Sequence, residues 1–523
     1  MKQIKVLDCT LRDGGYCNNW KFDQSQIDTV ISNLIDAGLD IIECGYLSNT
    51  VNKSEGTIYF SIYDVDKLVR KYKTNKAVKF SLMINHGEYD LSVLPSKKES
   101  EVDVIRYAFH KNEISEALDN CNILMQKGYE VYCQPMVTNA YTDDELQKLV
   151  GGINLLNPTY VYIVDSFGSL TIEELNLIFD RLDMHLNKNI GIGFHAHNNL
   201  QLAFSNSINF IDKNTDRQII VDVTVMGIGR GAGNLNSELL MDWMNRNLKT
   251  KFNLEKVLIV ADKVINAISE KRSWGYSLAN YLSAIHNCHP NYSNYLVKKK
   301  TLLYEDMNNV FRLMSEEQKK IYDEYYIEML YTGYLSEKKS PIGCNINSNI
   351  ILEDEVLVIG SGMSACVEKE KIFDVLTNNK NLTSISLNFD YSEIKTDYIF
   401  LSNIRRYEQM ERHSLSRTIV TSNISTNICL GSINYKDYLT NIEYVRDNAL
   451  VLLINYLVYC NVKKVYLAGI DGYSSADSNY INEGLEIFLP NDVRVKIDNG
   501  LRQFIKQKQE EIDIEIITGK LFN

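Results

Sequence analysis

Proline is scarce, at 6 in 523 residues, and none of the ten cysteines forms a C-x-x-C pair. The missing pair argues against a zinc knuckle or a thioredoxin-like site. Scattered single cysteines fit a reducing cytoplasm, where most are small core residues. The chain has no surplus of positive charge: 55 Lys+Arg against 67 Asp+Glu gives 55 − 67 = −12. An acidic chain is a poor partner for nucleic acid, although a local basic groove stays open. No segment offers the roughly 18 uninterrupted apolar residues of a membrane span. Lys2, Lys5 and Asp8 interrupt Met1–Thr10, so no signal peptide is expected and the protein is expected to be cytoplasmic.

What is present is ordinary globular usage, with 45% hydrophobic and 23% charged residues. At about 150 residues per domain, the length suggests two to four domains. Tyrosine is abundant (33), which assigns no function by itself.

The first 250 residues alternate β-rich runs with helical patterns. The runs are Ile4–Asp8, Asp40–Cys44, Val78–Met83, Val102–Ala108, Glu130–Met136, Tyr160–Val164, Gly191–His195 and Ile219–Val225. They are apolar without strict alternation, as parallel strands covered by helices should be. Between them, Ile27, Val30, Ile31, Leu34 and Ile35 mark one buried helical face, ended by Gly38. Ile114, Ala117, Leu118, Cys121 and Leu124 mark another, ended by Gly128. Thr142 with Glu145 and Thr171 with Glu174 read as capping boxes. Eight strand–helix units in such a length predict an α/β fold, a (β/α)₈ TIM barrel over 1–250, in preference to a doubly wound open sheet.

A tyrosine-rich helical extension, expected to complete the active site, covers 251–335, and a polar linker covers 336–349. A smaller open α/β, Rossmann-like domain is expected over 350–523, with strands at Glu355–Ile359, Leu382–Leu387, Tyr398–Ser402 and Lys464–Ala468.

In a barrel the active site lies at the carboxyl ends of the strands. The first run ends in Asp8-Cys9-Thr10-Leu11-Arg12-Asp13-Gly14-Gly15 and the second in Glu43 and Tyr46; His110 follows the fourth, and Asp165-Ser166 the sixth. The seventh ends in His195-Ala196-His197, two imidazoles that leave a strand on one face and could share a cation. Asp13 is the best carboxylate to complete the set with open positions. Arg12 is either a surface ion pair or a donor to a developing enolate oxygen. The glycines 227, 229, 231 and 233 suit a nucleotide loop or a tight turn beside a substrate equally well.

Asp8–Trp20 (DCTLRDGGYCNNW), His195–Leu200 (HAHNNL) and Gly227–Asn234 (GIGRGAGN) resemble the metal-dependent aldolase/lyase TIM barrels that include 4-hydroxy-2-oxovalerate aldolase and HMG-CoA lyase. Asp165–Leu170 (DSFGSL) and the RYAFH that ends in His110 are similar to that family too. The resemblance covers about residues 1–300. It implies that Asp13, His195 and His197 bind a divalent metal, Mn²⁺ or Mg²⁺, with Asn234 as a further ligand. It implies that Arg12 stabilises a pyruvate enolate and that Tyr276 closes the site, with Tyr281 and Tyr292 as rivals. The implied activity is that of a class II pyruvate aldolase, a carbon–carbon lyase taking a 2-oxo acid and an aldehyde, and a homo-oligomer is expected. An HMG-CoA-lyase-like or Claisen-type acyl-CoA enzyme, or a non-catalytic binding barrel, is the alternative.

One departure stands out. Where the aldolases carry a catalytic histidine, two residues after Asp-Gly, this chain has Tyr16. A phenol of ordinary pKa near 10 is a poor base at neutral pH. Tyr16, His110 and a water are the candidates for the proton transfer. Gly15-Tyr16-Cys17 also lacks the Gln or Glu of the acetyl-CoA condensers.

In the second domain, Gly360, Gly362 and Asp471 follow two apolar strands and could border a nucleotide or phosphorylated ligand. The segments resemble sialyltransferase-like nucleotide-binding domains of surface-polysaccharide pathways. Plain strand-end turns explain them as well, and the lack of a full glycine-rich fingerprint argues against a dinucleotide.

Overall fold

The structure is a computed structural model that describes residues 4–73, 78–299, 301–338, 350–391, 393–473, 480–481, 489, 491–519 and 521. The chain forms two compact units, 1–293 with 315–322, and 294–314 with 323–523. The helical stretch expected over 251–335 therefore divides between the two. Most of the expected linker, 339–349, lies outside the described residues.

The first unit is a closed parallel barrel of β1 (Ile4–Asp8), β2 (Ile41–Leu47), β3 (Lys79–Asn85), β4 (Val104–Phe109), β5 (Glu130–Pro135), β6 (Tyr160–Asp165), β7 (Gly191–Ala196) and β8 (Ile219–Val223). Closure comes from β1, which pairs in parallel with β2 on one side and β8 on the other. A two-residue strand, Ile58–Tyr59, adds to β2. All eight predicted runs are strands.

The covering helices are α1 (Gln24–Ala37), α2 (Ile62–Val69), α3 (Ile114–Gln126), α4 (Asp143–Leu156), α5 (Ile172–His185), α6 (Ala203–Asp212) and α7 (Ser237–Asn247). Both expected capping boxes form, at Thr142/Glu145 and Thr171/Glu174, and α1 carries a third at Asp23/Gln26. The third crossover departs from the repeating plan. Between β3 and β4 the chain makes two 3₁₀ turns, Leu91–Val93 and Lys97–Glu99, where a helix would be regular. Pro95 lies between them and disfavours helical dihedrals in the residue before it. Tyr129 pins the segment by donating to the Pro95 carbonyl at 3.1 Å.

The barrel interior is filled by Tyr132, Tyr160 and Tyr162 together with Leu7, Ile41, Val104 and Ile220. The tyrosines fit because β7 begins Gly191-Ile192-Gly193. A Cβ on Gly191 would stand 2.2 Å from the Tyr160 ring, and one on Gly193 would stand 2.4 Å from the Tyr162 ring. Large side chains on β6 thus need absent ones on β7, which is a packing constraint.

The second unit holds a seven-stranded parallel sheet: β9 (Glu355–Ile359), β10 (Leu382–Leu387), β11 (Tyr398–Leu401), β12 (Thr418–Thr421), β13 (Gly431–Ile433), β14 (Lys464–Ala468) and β15 (Asp513–Ile516). Its order is β13-β12-β11-β10-β9-β14-β15, so the direction of winding reverses between β9 and β14. The four predicted strands are present. The other three are short and carry little apolar signal. Among the described residues no helix is long and apolar enough to cross a membrane.

Gly193→Val should destabilise the barrel by about 3 kcal/mol or more, because overpacking at a rigid ring has no space to relax into. Urea unfolding of the full chain checks this.

Candidate active site

The turn after β1 is built before it is functional. Asp8 accepts the Thr10 amide at 2.9 Å and the Thr10 hydroxyl at 3.0 Å. Thr10 in turn accepts the Val225 amide at 2.9 Å, tying this turn to the loop after β8. The short helical turn Thr10–Asp13 that results buries both Arg12 and Asp13. Trp20 donates to the Arg12 carbonyl at 2.7 Å, and Thr57 to that of Leu11 at 2.7 Å.

Across the mouth, β7 presents its two histidines. Asp13 Oδ2 lies 3.2 Å from His195 Nε2 and 3.8 Å from His197 Nε2. The two rings are 5.1 Å apart at 81°. One potential ligand atom from each of Asp13, His195 and His197 lies within 4.8 Å of the others. Cys9, His195 and Asp222 meet the same criterion, but burial raises the Cys9 thiol far above its usual pKa and it donates to the Val223 carbonyl. His195 therefore turns Nδ1 to Asp222, at 2.9 Å, and Nε2 to Asp13.

Beneath these ligands runs a buried chain of charge. Glu43 Oε2 accepts Arg12 Nε at 2.8 Å and Arg106 Nη1 at 2.9 Å. Arg106 also pairs with Asp222, which accepts the Tyr162 hydroxyl at 3.1 Å. Arg12 and Arg106 face Glu43, Asp222 and Asp13, so two positive groups meet three negative ones. One negative charge is left over. It can be met by a proton on His195 or by a cation between the imidazoles.

The donor set fits a divalent cation. The Asp13 oxygens face Arg12 and His195 as ion pairs outside hydrogen-bond geometry, Asn234 Oδ1 has no donor, and all three atoms are buried. Asn234 sits beside His197 through a backbone bridge and donates its amide to the Ile228 carbonyl at 3.0 Å, which spends the nitrogen and leaves the oxygen. Burial pushes the Asp13 carboxyl up, but Arg12 and the two histidines outweigh it and hold it well below the usual carboxylate range. Burial takes His197 down to about 3, so it stands as a neutral imidazole, the form that ligates.

Tyr16 lies at the same mouth. Its hydroxyl is 3.4 Å from that of Tyr46, and Arg12 lies 5.8 Å from the Tyr46 ring centre. His110 caps the turn after β4; burial and Arg230 lower its pKa against the opposing pull of Glu113. Tyr276 is 57% exposed and follows a turn where Gly275 has φ +121° and Trp274 anchors to the Met226 carbonyl in the loop after β8. Tyr292 is buried with its hydroxyl spent on the Gln318 and Ile321 carbonyls. The extension instead brings His289 to Arg230, Nε2 to Nη1 at 3.2 Å.

Sequence reasoning missed Arg106, Asp222, Arg230 and His289 as site residues. Arg106 and Asp222 each sit inside an apolar strand run, where a charged residue facing the barrel interior was the available signal. His289 had none.

The glycine turn of the second unit uses its amides internally. Gly360 donates to the Ala468 carbonyl at 2.8 Å, Gly362 to that of Gly469 at 2.9 Å, and Ser364 to the Asp471 carboxylate at 2.8 Å. A Cβ on Gly362 would stand 2.5 Å from the Gly469 carbonyl oxygen, so close packing of the two loops accounts for this glycine.

The HMGL-like family profile matches residues 3–264, half of the chain. The chain belongs to the HMGL-like family. Among relatives, 4-hydroxy-2-oxovalerate aldolase of Geobacillus genomosp. 3 is 24% identical over 270 residues, 51% of this chain and 78% of that protein. The enzyme of the same name from Carboxydothermus hydrogenoformans is 26% identical over 265 residues, covering 50% and 77%. The carboxyl transferase domain of Rhizobium etli pyruvate carboxylase shares the fold, at TM-score 0.50 and 12% identity over 64% of this chain and 62% of that one. The HMGL-like match ends before the second sheet begins, so that unit is read from its own geometry.

Asp222→Asn should weaken Mn²⁺ binding by about 10–100-fold, because the carboxylate sets the tautomer and basicity of His195. Calorimetric titration of the metal-stripped protein checks this.

Proposed function

We propose that this HMGL-like chain is a divalent-metal-dependent aldolase that makes or breaks the C3–C4 bond of a 4-hydroxy-2-oxo acid through the enolate of pyruvate. The observation that carries the reading is the adjacency of Arg12 and Asp13, with Nη1 to Oδ1 at 3.3 Å, against the histidine pair. A buried guanidinium next to a cation-ready ligand set is the arrangement an enolate oxygen needs.

Asp13, His195 and His197 would hold the metal, with Asn234 Oδ1 available beside them. When bound, the metal would act as a Lewis acid on the 2-oxo acid. Arg12 is fixed by Glu43, so its remaining N–H groups are aimed without reorganisation at the oxygen that becomes negative. In cleavage the C4 hydroxyl loses its proton, the C3–C4 bond breaks, and its electron pair moves into the enolate while the aldehyde leaves. A proton then returns to C3. Tyr16, at the mouth beside Tyr46, and His110 are the candidates to carry that proton, either directly or through water. The relatives' printed names support the 4-hydroxy-2-oxo acid class.

The second unit is proposed to take a small ligand at the carboxyl ends of β9 and β14, where the winding reverses, since open α/β sheets bind ligands there. The Ser364 amide is held by Asp471, so a phosphate taking that amide would have to displace the carboxylate. Calorimetry of the full chain with nucleotides and nucleotide sugars tests this.

Incubation of pyruvate with the Mn²⁺-loaded protein in D₂O should exchange the methyl protons, followed by NMR. Chelation should stop the exchange and Mn²⁺ or Mg²⁺ restore it. Absence of exchange with any divalent metal would reject the enolate reading. Arg12→Ala should lower turnover by about 10²–10³, the usual loss for one preorganised donor. Tyr16→Phe separates chemistry from packing: a large fall in turnover at unchanged stability assigns the hydroxyl a proton-transfer role.

A further inference from the structure

The loop after β8 places a cation, Arg230, at the mouth that no described carboxylate neutralises. Arg230 has no carboxylate partner within salt-bridge distance among the described residues. Its Nη2 donates to the Ser166 carbonyl at 3.1 Å and its Nη1 faces His289 Nε2 at 3.2 Å. Its Nε is buried with no acceptor. The guanidinium stands 5.4 Å from the centre of the Tyr16 ring, and so one aromatic ring from the Tyr46–Arg12 side of the site.

The surroundings are rich in donors and poor in acceptors. His289 receives Arg230 on Nε2 and the Asn291 amide on Nδ1, at 3.2 Å each. A neutral imidazole has one acceptor nitrogen, so one of these donors is mismatched. Burial, with Arg230 and His110 nearby, takes His289 down to about 2, so it contributes no charge of its own. Lys320 lies over the Phe167 ring at 5.8 Å, donates to the Asn287 carbonyl at 3.4 Å, and has no carboxylate within salt-bridge distance among the described residues. The nearby acids are engaged: Glu316, the carboxylate facing Lys320, pairs with Lys319 at 2.6 Å, Glu113 accepts the His110 amide at 2.7 Å, and Glu145 pairs with Lys111 at 3.0 Å. The loop after β6, Ser166-Phe167, thus touches two unpaired cations.

We infer that Arg230, with Lys320 and His289 behind it, forms an oxyanion-binding subsite that selects aldehydes bearing a phosphate or carboxylate group. This rests on the aldolase reading for its substrate, although the subsite itself stands on the unpaired charges. The reacting carbonyl lies on the Arg12–Asp13 side and the anionic tail reaches past Tyr16 to the guanidinium. An oxyanion supplies the acceptors this cluster lacks, and guanidinium–oxyanion hydrogen bonds are among the stronger ones.

The test uses the full-length, Mn²⁺-loaded protein with pyruvate and a matched panel: glyceraldehyde, glyceraldehyde 3-phosphate, butanal and succinic semialdehyde. The anionic member of a pair should exceed its uncharged counterpart in kcat/KM by about 10–100-fold, the worth of one charge-assisted hydrogen bond. The pair with the larger ratio identifies the tail as phosphate or carboxylate. Arg230→Met should collapse that ratio to within about threefold, and Arg230→Lys should restore part of it. A wild-type ratio near one, or a ratio that survives Arg230→Met, overturns the inference. Inorganic phosphate and succinate, titrated calorimetrically, probe the subsite without turnover. Uptake of one of them by the wild type and its loss in Arg230→Met supports the subsite even if no aldehyde reacts. Equal uptake by both proteins, or none by either, rejects it. The enolate reading falls separately, on the D₂O exchange.

Discussion

The site depends on a buried chain of opposite charges: Asp13 and Glu43 on Arg12, Glu43 and Asp222 on Arg106, and Asp222 on His195. The six members come from five strands or strand ends of the barrel, Arg12 and Asp13 sharing the turn after β1, and all are buried. Desolvating such groups costs several kcal/mol per ion, which each ion offsets by facing at least one opposite charge at close range. The same links fix the direction of two chemically active groups. Arg12 is locked by Glu43, and the ring of His195 is locked by Asp222. Packing and site geometry share one constraint here, because breaking the charge chain would also misplace the Arg12 guanidinium and the His195 ring.

That constraint explains why the mouth is electrostatically unfinished. Buried atoms without a hydrogen-bond partner remain at Glu43 Oε1 and Arg106 Nε within the network, and at the mouth at Asp13 and Asn234 Oδ1. A second imbalance of opposite sign lies at Arg230. A 2-oxo acid and an anionic aldehyde, with a divalent cation, would meet both. The absence of histidine at position 16 then has a structural context: Tyr16 lies between the two poles, against Tyr46 on one side and under Arg230 on the other.

The second unit has a different logic. Its glycine turns are packed against each other, with amides satisfied by Ala468, Gly469 and Asp471. The feature that favours a ligand there is topological, the reversal of winding between β9 and β14, and the glycines themselves are explained by packing.

By itself the sequence determined the barrel. Eight apolar runs at regular spacing, capping boxes such as Thr171/Glu174 and helix-ending glycines such as Gly38 are local signals, and local signals survive in one dimension. The clustering of Asp13, His195 and His197 was legible for the same reason: the histidines announce themselves by a two-residue spacing, and Asp13 by its place just after a strand. Only the tertiary structure decided what stands behind them. Glu43, Arg106 and Asp222 meet across 63 and 116 positions of sequence, and no periodicity links residues that a closed barrel brings together. The meeting of His289 with Arg230 was decided in the same way, because the extension carries one to the loop that holds the other. The third crossover lost its helix to Pro95, a local cause that a count of repeating units overlooked. Spacing within one element is written in the chain, whereas the meeting of charges from separate strands exists only once burial forces them to pair.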